Sequence, residues 1–173
     1  VLMNVGFVSI FRLYKVVANS ALHSWANNII LVSALSSILI ATIYMLKVKN
    51  IKRMLAFSSI EHMGLVMLGL ISGGIGCYAA VLHAILHALL KSSFFFQIGQ
   101  VYSVFKSKNI YNTGSYFKYN LSGAIILLLA FICGTAMPPS GLFISEFLIF
   151  KAMFEAGNIF FLAIVLVLLT FII

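Results

Sequence analysis

Long apolar runs, parted by short basic or glycine-rich segments, set the pattern of this chain. Ile29 to Leu46 and Leu121 to Cys133 are apolar without the alternation that a strand would show. A hydrocarbon core about 30 Å thick asks for about 20 such residues per helix. On that measure six membrane spans are expected: Val1–Val17, Trp25–Leu46, Met54–Ile71, Cys77–Phe105, Leu121–Phe154 and Asn158 onward. A closed barrel also satisfies its backbone in lipid, but it needs short segments of alternating polarity. The expected fold is all-α, a polytopic transmembrane helical bundle. Because the chain opens in one apolar run and stops within another, it is expected to be an internal piece of a longer protein.

Composition strengthens this reading. Of 173 residues, 63% are hydrophobic and 8% charged, whereas a soluble domain carries roughly 45–50% apolar residues. The formal charge of +8 does not argue for nucleic acid as a partner, because most basic residues lie in loops between apolar runs. Lys47, Lys49, Lys52 and Arg53 follow the second span, and Lys106, Lys108 and Lys118 follow the fourth, so both groups fall on one side. They outnumber Arg12, Lys15 and Lys151 on the other, and the positive-inside rule makes the richer side cytoplasmic. Cys77 and Cys133 show no CxxC spacing, so neither a disulfide framework nor a thiolate metal site is indicated.

Two interruptions stand out. Gly73, Gly74 and Gly76 predict a tight turn between the third and fourth spans. Within the fifth, Pro138-Pro139 followed by Ser140-Gly141 predicts a broken helix. The prolines leave the carbonyls of Gly134 and Thr135 without their amide donors, and such a break belongs beside protein or water rather than lipid.

Charged residues far from the helix ends carry the chemistry. Lys91 is central in the fourth span, Glu146 lies about two turns beyond the proline break, and Glu61 about two turns into the third span. Each costs about 2.5–3.5 kcal/mol at the membrane centre on insertion scales. His83, His87 and Lys91 recur at every fourth position and share one helix face, a column about 12 Å long. Imidazole can accept a proton on one nitrogen and release one from the other near neutral pH. The column therefore has the geometry of a proton relay, and static ion pairing between helices is the alternative. Two other chemistries fit less well. The His83/His87 pair has metal-ligand spacing, but no Glu follows the first His as HExxH requires. Haem held by His62 or His23 opposite His83 or His87 would ask for pocket histidines free of adjacent lysine and glutamate. No cofactor and no metal are expected.

Three stretches carry a resemblance. Val48-Lys49-Asn50-Ile51-Lys52-Arg53-Met54-Leu55-Ala56-Phe57-Ser58-Ser59-Ile60-Glu61-His62-Met63-Gly64 resembles the "DIKRLLAYSSIEHMG" segment of the proton-conducting antiporter-like membrane subunits. These occur in respiratory complex I, multisubunit cation/proton antiporters and group 4 nickel-iron hydrogenases. His83 to Phe95 resembles their "HxxxHAxxKxxLF" helix, and Pro138 to Phe147 their "PPxxxFxSEF" broken helix. Phe57 stands where Tyr is usual. The Ile-Glu-His-Met variant and the Ser-Glu-Phe ending are most similar to component F of hydrogenase-4. Asn4 stands where many complex I members place a lysine, a departure that supports the same branch.

The resemblance implies a single transmembrane unit, with the end of a first repeat at 1–18 and a second, inverted five-helix repeat at 24–173. It implies a proton relay of His83, His87, Lys91 and Glu146, with Glu146 exchanging protons on the non-cytoplasmic side. Glu61, His62 and Asn4 are accessory candidates, and Pro138, Pro139 and Gly141 form the helix break. The implied protein is a non-catalytic, proton-translocating subunit in the bacterial cytoplasmic membrane. Its implied partners are other membrane subunits and, through them, peripheral hydrogenase and iron–sulfur subunits. A complex I subunit, a multisubunit Na+/H+ antiporter subunit and a purely structural anchor are the alternatives.

Overall fold

The computed structural model describes residues 2–18 and 20–170. Val1 and residues 171–173, at the outer limits of the first and last expected spans, lie outside the described residues. The helices are α1 (Leu2–Val17), α2 (His23–Lys47), α3 (Ile51–Ile71), α4 (Gly74–Phe105), α5 (Leu121–Gly134), α6 (Gly141–Glu155) and α7 (Ile159–Thr170). Short 3-10 turns at Ile110–Asn112 and Tyr116–Lys118 lie between α4 and α5. The all-α architecture follows the apolar runs closely. α2, α3 and α4 are each long and apolar enough to cross a membrane, and α5 and α7 are shorter apolar helices.

Local signals account for the ends. Asn50 caps α3, its side-chain oxygen accepting from the amides of Lys52 at 3.0 Å and Arg53 at 3.4 Å, as a short polar residue does at a helix start. α3 thus begins three residues before the expected span, so Glu61 lies at mid-helix. Gly73 and Gly74 take positive φ values of 68° and 46° and make the turn into α4, a conformation glycine reaches without a Cβ penalty. Gly76 belongs to α4 instead of the turn. It meets α3 and α6 so closely that an added Cβ would lie 2.5 Å from the Gly69 carbonyl oxygen and 2.9 Å from Ala152 Cβ.

The two basic loops meet. Ile51 N–H donates to the Lys108 carbonyl and Ile110 N–H to the Lys49 carbonyl, both at 3.1 Å. The segments after α2 and α4 are therefore at one end of the bundle. Lys52 and Lys108 approach the Tyr102 ring there at 5.2 and 5.8 Å.

The expected break divides the fifth span into α5 and α6. With 14 and 15 residues at about 1.5 Å each, neither helix exceeds roughly 23 Å, so each is shorter than the hydrocarbon core. Gly141 is the first residue of α6, and Ser140 caps it by accepting from Phe143 N–H at 3.2 Å. At the other side of the break, the Thr135 hydroxyl bonds the Phe131 and Ile132 carbonyls at 3.2 and 3.1 Å. The helix ends on both sides of the break thus find part of their hydrogen bonding within the chain.

α3 and α4 form the centre, with α2 and α6 packed against them. Ile38, Leu65, Leu68, Ala79, Ile149 and Met153 join four helices in one core cluster. The outer faces carry exposed Trp25, Val32, Leu89, Phe96 and Phe147, an apolar surface suited to lipid or to neighbouring membrane subunits.

Candidate functional site

α3, α4 and α6 bring a row of polar side chains into the bundle interior. Glu61 and His62 come from α3, His83, His87 and Lys91 from α4, and Ser145 and Glu146 from α6, none of them more than 9% exposed. On α4 the fourfold spacing turns His83, His87 and Lys91 inward together. On α3, Ser58, Glu61 and His62 fall at i, i+3 and i+4 and share a face.

His62 is the node. Its Nδ1 lies 3.1 Å from His83 Nε2 and 3.6 Å from Glu146 Oε1, and its ring centroid is 5.1 Å from that of His87. His83 Nδ1 lies 2.9 Å from Ser145 Oγ, which is itself 2.9 Å from the Leu142 carbonyl. A serine has one hydroxyl proton. Both bonds are satisfied when Ser145 donates to Leu142 and accepts from His83 Nδ1–H, which leaves His83 Nε2 as an acceptor facing His62. Gly134, whose carbonyl loses its amide donor to Pro138, borders the same cavity as His62.

Lys91 is held differently. Its Nζ donates to Ser58 Oγ at 2.6 Å and to the Leu55 carbonyl at 3.2 Å, and lies 5.8 Å from the Phe94 ring. Glu61 borders one cavity with Glu146 and with Ser58, the residue to which Lys91 donates. Among the described residues, the ion pairs within 4 Å are His62–Glu146 and the exposed Lys151–Glu155. A static Lys91–carboxylate pair is thus not what holds the helices together. Beside this group is a cavity of about 150 Å³, bordered by Ser58, Glu61, His62, Thr135 and Glu146. It is large enough for several waters. Both ring nitrogens of His87 are buried without a protein partner.

The structure brings His83, His87, Lys91, Glu146, Glu61 and His62 to one region and leaves Asn4 at its margin, where its amide donates to the Ala84 carbonyl at 2.9 Å. Sequence reasoning placed His62 among accessory candidates and passed over Ser58 and Ser145. The helix-face argument applied to α4, extended to α3, would have found Ser58 and His62. Only the crossing of α6 over α4 reveals Ser145. The contact between His62 and His83 leaves no space for a porphyrin between their rings, and His23 lies away from them, bonded to Asn27 at 3.3 Å.

The fold and this interior row define a polytopic α-helical membrane protein with buried titratable groups. Residues 1–172 match the family described as "NADH:quinone oxidoreductase/Mrp antiporter, TM", and the chain belongs to that family. It is 31% identical over 155 residues to a hydrogenase-4 component F homolog of Methylacidiphilum infernorum, covering 88% of this chain and 32% of the relative. Formate hydrogenlyase subunit 3 of Escherichia coli is 26% identical over 91% of this chain and 28% of its own length. NADH-quinone oxidoreductase subunit M of Rickettsia prowazekii is 30% identical over 86% of this chain and 30% of its own length. The chain spans about a third of the length of these curated relatives.

Proposed function

We propose that the chain is the proton-conducting core of a membrane subunit in a hydrogenase-4-like complex of the bacterial cytoplasmic membrane. Protons pass along its buried row, driven by redox chemistry in partner subunits. The observation that carries this reading is the convergence of His62, His83 and Glu146 beside a cavity that also meets Glu61. A proton on His62 Nδ1 has two acceptors, His83 Nε2 on one side and Glu146 on the other, so small changes in local charge decide which receives it.

Lys91 is the nearest fixed source of such a change, acting through Glu61. Gain or loss of its proton alters the field on Glu61, and Glu61 in turn acts on Glu146. His87, buried against His62, joins the route through water from the cavity or by a rotation of its ring. Glu146 is the exchange point with the non-cytoplasmic side, and the basic loops mark the cytoplasmic end. The unit is one five-helix repeat, preceded by the last helix of another. Moving one proton against 100 mV costs about 2.3 kcal/mol, so the row works only when coupled to an exergonic partner reaction.

Lys91→Met in the full-length subunit, within its complex, is the test. Proton movement into vesicles stops while hydrogenase turnover with a soluble electron carrier continues; undiminished proton movement refutes the reading. A second reading, a complex I or Na+/H+ antiporter subunit, is favoured by the similar identity to NADH-quinone oxidoreductase subunits, 30–31%. Sodium-dependent transport, or neighbouring genes for antiporter in place of hydrogenase subunits, selects it.

A further inference from the structure

We infer that His62, His83 and Glu146 form an inhibitory binding site for a divalent transition metal, best suited to zinc. The donor atoms, one from each residue, all lie within 4.8 Å of one another. Two of the separations are 3.1 and 3.6 Å. A tetrahedral zinc ion with bonds of about 2.0–2.1 Å sets its donors about 3.3–3.4 Å apart. Two imidazoles and one carboxylate, with a fourth position left for water, are a donor set that zinc accepts.

Independent features around the triad support a cation. His87 is 3% exposed, has no protein partner for either nitrogen and packs its ring 5.1 Å from His62. Ser145 accepts from His83 Nδ1, which fixes His83 Nε2 as a free donor of its lone pair, the outer-shell arrangement that orients metal-bound histidines. On His62, the proton must sit on Nε2 for Nδ1 to bind metal, and the cavity that His62 shares with Gly134, at the carbonyl end of α5, gives that proton room for an acceptor. That end also carries the negative pole of its helix. The cavity of about 150 Å³ reaches His62 and Glu146 and can hold the ion's remaining waters. Binding releases any proton on Glu146 and replaces the proton that His62 and His83 share.

Metal binding stands on this geometry alone, whereas arrest of proton movement rests on the relay reading above. The test uses the full-length subunit in its purified complex, stripped with chelator and re-equilibrated with zinc chloride. Zinc content is measured together with the zinc K-edge absorption spectrum. The expected result is one zinc ion fewer per complex in His83→Gln and in Glu146→Gln than in the parent. The lost component should show imidazole and oxygen ligands at about 2.0–2.1 Å. Equal zinc content and identical spectra in parent and variants overturn the proposal. Should those variants fail to assemble, Ser145→Ala retains all three ligands and is expected to bind zinc 10–100-fold more weakly; unchanged affinity also overturns it. Lys91→Met separates the two ideas. If it conducts protons normally while the zinc difference persists, the relay reading falls and the metal site stands.

Discussion

At the α6 end of the polar row, His62, His83, Ser145 and Glu146 are linked side chain to side chain at 2.9, 3.1 and 3.6 Å, with Ser145 fully buried. At the other end, Lys91 rests on one hydroxyl and one carbonyl of α3. Ser58 there is only partly buried and lines the cavity together with Glu61. The His83–Ser145 contact is dry and over-determined, set back from the cavity that His62 and Glu146 border, whereas the one hydroxyl that holds Lys91 opens directly on that cavity, where water can enter. A proton held between fixed acceptors needs little reorganisation to move, whereas a charge that must rise and fall needs solvent to follow it. The two ends therefore suit two tasks, transfer at the histidines and control at the lysine.

The strongest way to break this contrast is to remove the node. His62→Leu takes away a side chain that touches both His83 and Glu146, and leucine can neither donate nor accept a proton. Proton movement in reconstituted vesicles should fall about a hundredfold or more, a barrier increase of about 2.7 kcal/mol or more. A loss below threefold would mean that the histidine end is not the route.

Packing behind the histidine end is the next target. Gly76→Ala gains about 1 kcal/mol of helix propensity. Its new methyl meets a backbone carbonyl at 2.5 Å and Ala152 Cβ at 2.9 Å, atoms that cannot rotate away, and overpacking of this kind costs about 1–3 kcal/mol. The net effect should be destabilising by about 1 kcal/mol, read as a lower Tm of the detergent-solubilised subunit. A raised Tm would show that α3, α4 and α6 can part without penalty.

How much of this was legible in the residues depended on whether a feature was local. Helix positions followed from apolar runs, because lipid leaves a backbone few alternatives. The break at Pro138-Pro139 followed from missing amide donors, and the α4 column from fourfold spacing. The turn between α3 and α4 ends two residues before Gly76, which serves close packing instead, and spacing alone does not distinguish that from turn formation. The central place of His62 depended on a contact across two helices between residues 21 apart in sequence. The place of Gly134 was half legible: the prolines announced a free carbonyl, but only the fold shows that Gly134 shares a cavity with His62.

Two serine substitutions then sharpen the comparison between the ends. Ser145→Ala leaves His83 Nδ1–H buried without an acceptor, in a place where no water substitutes, and an unsatisfied buried donor costs about 1–3 kcal/mol. Proton movement should drop about tenfold, with assembly of the subunit intact by size-exclusion chromatography. Retention of full activity would mean that the tautomer of His83 is set by something other than Ser145.

Ser58→Ala should be the mildest change, although the bond it removes, 2.6 Å to Lys91 Nζ, is the shorter of the two. Bond length alone predicts the opposite order, since hydrogen bonds to charged groups contribute about 1.5–3 kcal/mol. What decides the outcome is replacement. Ser58 borders the cavity, so a water can take the place of the hydroxyl and keep the ammonium solvated at little cost, while Leu55 continues to accept at 3.2 Å. The expected loss of proton movement is about threefold or less, measured beside Ser145→Ala in the same vesicles. If Ser58→Ala were instead the more damaging of the pair, the lysine end would be the rigid one, and the division between a tightly paired transfer end and a hydrated control end would have to be reversed.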